Sequence, residues 1–142
     1  MVRYPVILMP DENGTIMASF PDVPEALTCG VDVADTLRMA EDALLTAFEF
    51  YFDARKPVPK PAKPEPGQQV ITLSPMTVAK LAIYHAMLEE DISQVELAGR
   101  LGCDPRQVRR LLDLRHNSRL DQLEKALKAL GRRLVLEVRQ AA

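Results

Sequence analysis

Between residues 56 and 66 the chain reads KPVPKPAKPEP, and this run limits where helices and strands can lie. Its five prolines lack backbone hydrogen-bond donors and favour extended polyproline II geometry, so a regular helix or a central strand cannot pass through it. We interpret the run as a semi-rigid connector rather than a globular segment. Strand-like patterns precede it and helical patterns follow it, which predicts an α+β chain with domains over residues 1–73 and 75–142.

The first half alternates between short apolar runs and turn signals. Three strands are predicted, over residues 4–9, 15–20 and 26–31. The turn over residues 11–14 should join the first two, because Asn and Gly tolerate the positive φ of tight hairpins. Asp32 can cap a helix that carries one apolar stripe and ends near Arg55. A strand over residues 69–73 then rejoins the sheet, which gives the order β-β-β-α-β.

The second half carries helical periodicity. Ser74 followed by Pro75 is a helix start signal, and this helix should end near Glu90. A last helix is predicted over residues 120–130, where leucines fall on one face, with Gly131 ending it. We therefore expect an all-α domain after the connector.

Strict alternation marks the last part of the chain. Leu134, Leu136 and Val138 point one way while their neighbours point the other, which predicts a half-buried short strand over residues 133–139. Such a strand has free edge donors that can pair with a second copy across a two-fold axis, so we expect a homodimer or a higher homo-oligomer.

Residues 93–112, SQVELAGRLGCDPRQVRRLL, predict a helix-turn-helix. Ser93 with a Glu three residues later is a capping box, which marks the start of a helix. Gly102 suits a tight turn because it tolerates positive φ. Asp104 can cap the next helix, and Pro105 then stands at its first position.

This motif predicts contacts with double-stranded DNA. The second helix should enter the major groove and present Arg106, Gln107, Arg109 and Arg110 to the base edges. Ser93 and Gln94 open the first helix and are placed to contact phosphate. The polar loop after the second helix suits the sugar-phosphate backbone through Arg115, Asn117 and Ser118. Arg109 has an alternative role, because Asp113 lies one helical turn further on and can pair with it.

Charge divides the chain in the same way as the predicted elements. Residues 1–66 hold six Lys and Arg against eleven Asp and Glu, a net charge of −5, whereas residues 67–142 hold twelve against nine, a net charge of +3. An acidic half followed by a basic half suggests two tasks, one of them on nucleic acid.

Other function classes find little support. No apolar run reaches the roughly 20 residues that span a bilayer, and no signal-peptide pattern opens the chain. Cys29 and Cys103 lack CxxC spacing and are expected as reduced thiols in a cytoplasmic protein. Phosphate-binding loops and nucleophile elbows are absent, and no metal or cofactor site is predicted. We therefore expect a DNA-binding regulator rather than an enzyme.

A family resemblance rests on YPVILMPDENG and ASFPDVPEALTCG in residues 4–30, on AEDALLTAFEFYF in residues 40–52, and on residues 78–134. In these segments, which cover nearly the whole chain, the sequence resembles the HicB antitoxins that carry a C-terminal helix-turn-helix. The resemblance implies a degenerate ribonuclease-H-like N-terminal domain, and this likeness does not imply nuclease activity. It also implies a partner, the HicA-type ribonuclease toxin, which cleaves messenger RNA with a histidine.

The resemblance further implies that the first domain covers the toxin's active site and that the second represses the operon by binding its operator as a dimer. An acidic domain is electrostatically complementary to a basic RNA-binding toxin. The residues that we expect to contact the toxin are Asp11, Glu12, Phe20, Asp22 and Glu25.

Two alternatives remain open from the residues alone. In the first, the chain is a stand-alone repressor whose first domain senses a small ligand. In the second, it is a metal-dependent nuclease that uses the N-terminal acids, although these do not form a defensible carboxylate set for two-metal catalysis.

Overall fold

The computed structural model describes residues 1–141, which divide into two compact units, Met1–Pro75 and a second unit that begins at Met76. The order of elements is α+β, as the sequence predicts, with antiparallel strands first and helices after them. The first unit contains β1 (Arg3–Pro5), β2 (Ile7–Pro10), β3 (Ile16–Ser19), β4 (Leu27–Gly30), α1 (Val33–Asp53) and β5 (Val70–Thr72). The second contains α2 (Pro75–Glu90) apart from its first residue, and α3 (Gln94–Leu101), α4 (Pro105–Leu112) and α5 (Leu120–Ala129).

The strand predicted over residues 4–9 is divided into two. β1 pairs antiparallel with β5, whereas β2 pairs with β3, which pairs in turn with β4. Tyr4, Pro5 and Val6 are all buried, and three consecutive buried residues cannot share one face of a single regular strand. The chain therefore changes partner at Val6, whose N–H donates to the carbonyl of Gln69 at 2.9 Å.

Helix α1 packs closely on the sheet. Asp32 caps it as predicted, since its side chain accepts a hydrogen bond from the N–H of Asp35 at 2.8 Å. Thr36 is fully buried and lies against Gly30, where a Cβ atom would meet the backbone and side chain of Thr36 at 2.6 Å. Only glycine permits this approach between strand and helix.

The proline-rich run is packed within the first unit, so its interpretation as a semi-rigid connector that is not a globular segment is wrong. Val58 is 4% exposed, and the hydroxyl of Tyr4 donates to the carbonyl of Pro59 at 2.6 Å. The N–H of Ala62 donates to the carboxylate of Asp22 at 3.0 Å. Extended proline-rich backbone still offers carbonyls and apolar rings, and here these join α1 to β5 within one unit.

The four helices of the second unit enclose one apolar core. Its fully buried centre includes Ile83, Leu97, Val108 and Ala126, one from each helix. None of the helices described within residues 1–141 is long and apolar enough to cross a membrane.

The short strand predicted over residues 133–139 is not formed in the single chain. Arg132 pairs with Glu89 and Glu90 at the end of α2, and Leu134 is half-buried against the core. Beyond this point, Val135, Leu136 and Val138 are exposed. A strand needs a neighbouring strand to bond to, and the described part of the second unit contains none.

Candidate nucleic-acid interface and partner surface

The α3–α4 corner begins with the predicted cap. Ser93 Oγ accepts a hydrogen bond from the N–H of Glu96 at 3.1 Å. The same hydroxyl donates to Glu96 Oε1 at 3.3 Å, so the reciprocal contact joins the two side chains instead of reaching the backbone N–H of Ser93. Gln94 is exposed at the first position of α3.

A three-residue turn joins α3 to α4. Gly102 adopts left-handed geometry, with φ 65° and ψ 35°, and Cys103 N–H donates to the carbonyl of Ala98 at 3.0 Å. This is the Schellman ending that glycine favours. Asp104 then caps α4 by accepting from the N–H of Arg106 at 2.8 Å. The predicted turn at Gly102 and the predicted helix cap at Asp104 are both confirmed.

Helix α4 turns its polar side outward. Val108 and Leu111 are buried, whereas the four side chains expected to reach bases are exposed: Arg106, Gln107, Arg109 and Arg110. Arg106 lies 3.6 Å from the carboxylate of its own cap, Asp104, in a solvent-exposed pair. Within the part of the chain that the structure describes, the side chains of the other three make no hydrogen bond or ion pair.

The alternative pairing of Arg109 with Asp113 is not present. Asp113 Oδ1 accepts instead from the N–H of Arg115 at 2.9 Å, which shapes the loop after α4. Arg109 therefore projects into solvent from the same exposed side of α4 as Arg110.

A buried lysine, which sequence reasoning missed, organises the end of α4. Lys80 of α2 is fully buried, and its ammonium donates to the carbonyls of Arg110, Asp113 and His116 at 2.9, 2.7 and 2.8 Å. It also donates to Ser118 Oγ at 2.9 Å. An ammonium has three N–H donors, so four acceptors share them. Burial lowers the pKa of Lys80 from its ordinary value, and the carboxylate of Asp113 opposes that shift.

This cluster corrects one expected DNA contact. Ser118 is 8% exposed, and its hydroxyl accepts from Lys80 and lies 3.4 Å from the carbonyl of Arg110, to which it donates. It is a structural residue because its oxygen is turned away from solvent. Arg115 and Asn117, in the same loop, are exposed.

The residues expected to contact a toxin are spread over the first unit. Asp11 and Glu12 lie exposed in the turn between β2 and β3. Glu25 is exposed and accepts a hydrogen bond from the Tyr51 hydroxyl at 2.6 Å, an interaction that raises the pKa of Tyr51. Asp22 is half-buried and holds Ala62, as described above.

Phe20 corrects a second expectation. Its side chain is 2% exposed, so it belongs to the core of the first unit and is not presented at the surface. The sequence places it between polar and proline residues, where an aromatic side chain is as compatible with a surface anchor as with a core position.

We next consider side chains that could bind a metal ion. Among the described residues, no group of three or more His, Cys, Asp or Glu side chains is placed to hold a metal ion. Cys29 and Cys103 are both free thiols.

Comparison with known proteins decides the family. A model of the HicB-like antitoxins of bacterial toxin–antitoxin systems matches residues 3–82. The chain belongs to this family. It is 41% identical to antitoxin HicB 1 of Photorhabdus laumondii over 137 residues, covering 96% of this chain and 87% of the relative. It is also 41% identical to antitoxin HicB of Escherichia coli K12 over 135 residues, covering 95% of this chain and 98% of the relative.

The likeness to HicB antitoxins is not confined to the first unit. The family match ends at residue 82, shortly after Lys80. The antitoxin HicB of Pseudomonas fluorescens is 36% identical over 132 residues, which is 92% of this chain and 90% of the relative. Similarity to named antitoxins over most of the chain indicates an antitoxin role for this HicB-like chain.

Proposed function

We propose that the chain neutralises a HicA-type, mRNA-cleaving ribonuclease toxin through its first unit and represses its own operon by binding operator DNA through its second. The observation that carries the second part is the α3–α4 corner, in which a capped three-residue turn supports a helix with unpaired, exposed Arg109 and Arg110.

The α3–α4 corner has the features of a DNA-binding helix-turn-helix. The second helix of that motif places its N-terminal residues in the major groove. In this chain Arg106 and Gln107 hold those positions, and both side-chain types bond bidentately to bases. We expect Ser93 and Gln94, with the exposed loop residues Arg115 and Asn117, to contact the phosphates on either side.

Operator binding is expected to need a dimer, because one eight-residue helix reads too few base pairs alone. Residues 133–139 have exposed apolar side chains and no strand neighbour within the described chain. Pairing with the same segment of a second copy would supply that neighbour and bury Val135 or Leu136. Light scattering at micromolar concentration that finds only monomer would count against this.

Toxin neutralisation is supported by family membership and by charge. Residues 1–66 carry a net charge of −5, which suits a basic, RNA-binding partner. Asp11, Glu12 and Glu25 are exposed on this unit, and Asp22 is half-buried. Cytoplasmic residence follows for a protein that blocks an mRNA-cleaving enzyme and binds an operator.

Two measurements test the proposal. The first co-expresses the chain with the products of the adjacent reading frames. Stoichiometric recovery of a small basic protein that is toxic alone supports the antitoxin role, whereas operator binding without such a partner would make the chain a stand-alone repressor.

The second measurement is a mobility shift on the duplex upstream of the chain's own gene. The Arg109→Ala, Arg110→Ala pair should weaken binding and flatten its salt dependence, because fewer phosphates or bases are engaged. The matched control is Lys128→Ala, an exposed basic residue on α5 that lies outside both the α3–α4 corner and residues 133–139. Equal affinity for both variants and the wild type would refute the proposed interface.

A further inference from the structure

The sheet formed by β2, β3 and β4 is apolar on both faces. One face packs against α1, with Ala18 fully buried and Gly30 in contact with Thr36. The opposite face, which we call the outer face, is not covered by any other described element of the first unit. Its apolar side chains and their exposed fractions are Ile7 at 43%, Met9 at 61%, Met17 at 37% and Leu27 at 58%, together with the exposed Cys29.

The strand register makes the outer face continuous. Met9 lies opposite Met17, which lies opposite Cys29, and this gives one row across the three strands. Ile7, Ser19 and Leu27 form the next row in the same way, as the registers Ile7–Ser19 and Ser19–Leu27 require. Ser19 is thus the only polar side chain among these six outer positions.

A solvated face of an antiparallel sheet ordinarily carries polar side chains. Contiguous apolar patches on a protein surface mark interaction sites more often than chance. The two methionines strengthen this interpretation, because flexible thioether side chains adapt to the shape of a partner.

Charge indicates what kind of partner fits. Residues 4–37 contain six Asp and Glu and no Lys or Arg. Asp11 and Glu12 lie in the turn at one end of the outer face, next to the row that contains Met9. Glu25 lies two residues before Leu27, at the other end. The apolar face is therefore bordered by acidic side chains at both ends.

We propose that the toxin docks on the outer face, through an apolar patch of its own that is bordered by basic side chains. This inference rests on the proposed antitoxin function and names the surface that carries it. A second copy of the chain is a poorer occupant, because face-to-face packing brings two acidic borders together and like charges at an interface are unfavourable.

The two parts of the surface have different roles. The apolar rows form the desolvated centre, where most binding free energy concentrates, and so determine how slowly the complex dissociates. The acidic border steers a basic partner and determines the association rate and its dependence on salt. The sequence-predicted contacts Asp11, Glu12 and Glu25 thus belong to the border.

The test measures binding of the full-length chain to the toxic product of the adjacent reading frame by titration calorimetry. Leu27→Glu and Met9→Glu each place an unpaired carboxylate in the desolvated centre and should raise Kd at least about 30-fold. The control is Phe50→Glu, on α1 of the same unit with 62% exposure, which should change Kd less than about threefold. Thermal unfolding midpoints that match the wild type show that the variants are folded.

The possible outcomes distinguish failure of the proposed docking surface from failure of the proposed antitoxin function. Wild-type binding that persists unchanged in both outer-face variants overturns the docking surface and leaves the antitoxin function standing. Failure of the wild type to bind the adjacent gene product overturns both. Variants that lose self-association instead of toxin binding, measured by light scattering, assign the outer face to a second copy and likewise refute the inference.

If Met9→Glu unfolds, Met9→Gln tests the same position without a charge. We then expect Met9→Gln to raise Kd less than Leu27→Glu does and to leave the association rate unchanged. The complementary Asp11→Asn, Glu12→Gln pair should slow association several-fold at low salt and little at high salt, because screening removes steering. An association rate insensitive to this pair at low salt would contradict the acidic border.

Discussion

The ammonium nitrogen of Lys80 lies 2.7 Å from the main-chain carbonyl oxygen of Asp113, with no solvent exposure of the lysine. Because Arg110, His116 and Ser118 accept from the same ammonium, this single side chain fixes the end of α4 and the loop that follows it. Both segments border the proposed DNA interface. A residue with no exposed atoms thus positions the residues that are proposed to touch DNA.

Replacing Lys80 with Met should destabilise the second unit by about 3 kcal/mol, because buried carbonyls lose their charged donor. Urea unfolding measures this loss, and operator affinity should fall with it as the loop residues Arg115 and Asn117 lose their support. Lys128→Met is the matched control, since Lys128 is exposed on α5. If the two variants have equal free energies of unfolding, the buried ammonium makes no net contribution to stability.

Two glycines of the α3–α4 corner, Gly99 and Gly102, differ in backbone geometry. Gly102 has φ +65°, whereas Gly99 lies within α3, and a Cβ atom would meet nothing within 4 Å at either position. Gly102→Ala should therefore destabilise by about 1 kcal/mol, and Gly99→Ala should stabilise by about 0.5–1 kcal/mol. Thermal melts of the two variants check this, and shifts of the same sign would contradict it.

Gly30→Ala should destabilise the first unit by about 2 kcal/mol or more, since its Cβ would lie 2.6 Å from Thr36 and either strand or helix must move. Denaturant unfolding gives the change in free energy. Gly67→Ala provides a contrast, because that glycine has open space around it and only its φ of +78° to strain. A larger loss at Gly67 than at Gly30 would argue against close packing of β4 on α1.

Because Tyr4 is buried, we expect the free energy of unfolding of the chain to fall in strong base. Burial, and to a smaller extent the carboxylate of Asp22, raise the pKa of Tyr4 to about 12 in the folded chain, above the ordinary value of 10.0. The folded state then binds more protons than the unfolded state between these values, so its stability is fully present below pH 10 and falls as pH rises toward 12.

The measurement follows the free energy of unfolding from about pH 9 to about 12 for the wild type and for Tyr4→Phe. The variant should lose the hydrogen bond to Pro59 and show a shallower decline with pH. Tyr51→Phe is measured in parallel, because the hydrogen bond to Glu25 also raises the pKa of Tyr51 and its share of the decline must be separated from that of Tyr4. Parallel pH profiles for the wild type and Tyr4→Phe would exclude Tyr4 as the titrating group.

Much of the fold follows from local residue chemistry. Asp32, Ser93 and Asp104 each cap a helix through an N–H two or three residues further on, and Gly102 ends α3 by its own backbone freedom. Contacts this short are determined before any tertiary structure exists, which is why helix boundaries and the α3–α4 turn are predictable.

Side-chain placement in the candidate surfaces was less predictable. Phe20 is in the core, although its neighbours suggest an exposed loop, and Ser118 is buried although its loop is polar. Alternation of polar and apolar residues cannot identify the outer face, because residues 7–10 are apolar on both sides of the strand. The segment over residues 133–139 has the alternation of a strand but no neighbour in the described chain.

The amino-acid sequence by itself determined the class of fold, the positions of the helices and the division of charge, since each depends on residues close together in the chain. Only the tertiary structure decided that Lys80 is buried, because its four acceptors lie 30 to 38 residues further on. A lysine is ordinarily exposed since burying its charge is costly, and it becomes a core residue only where folding assembles enough oxygen atoms to replace water.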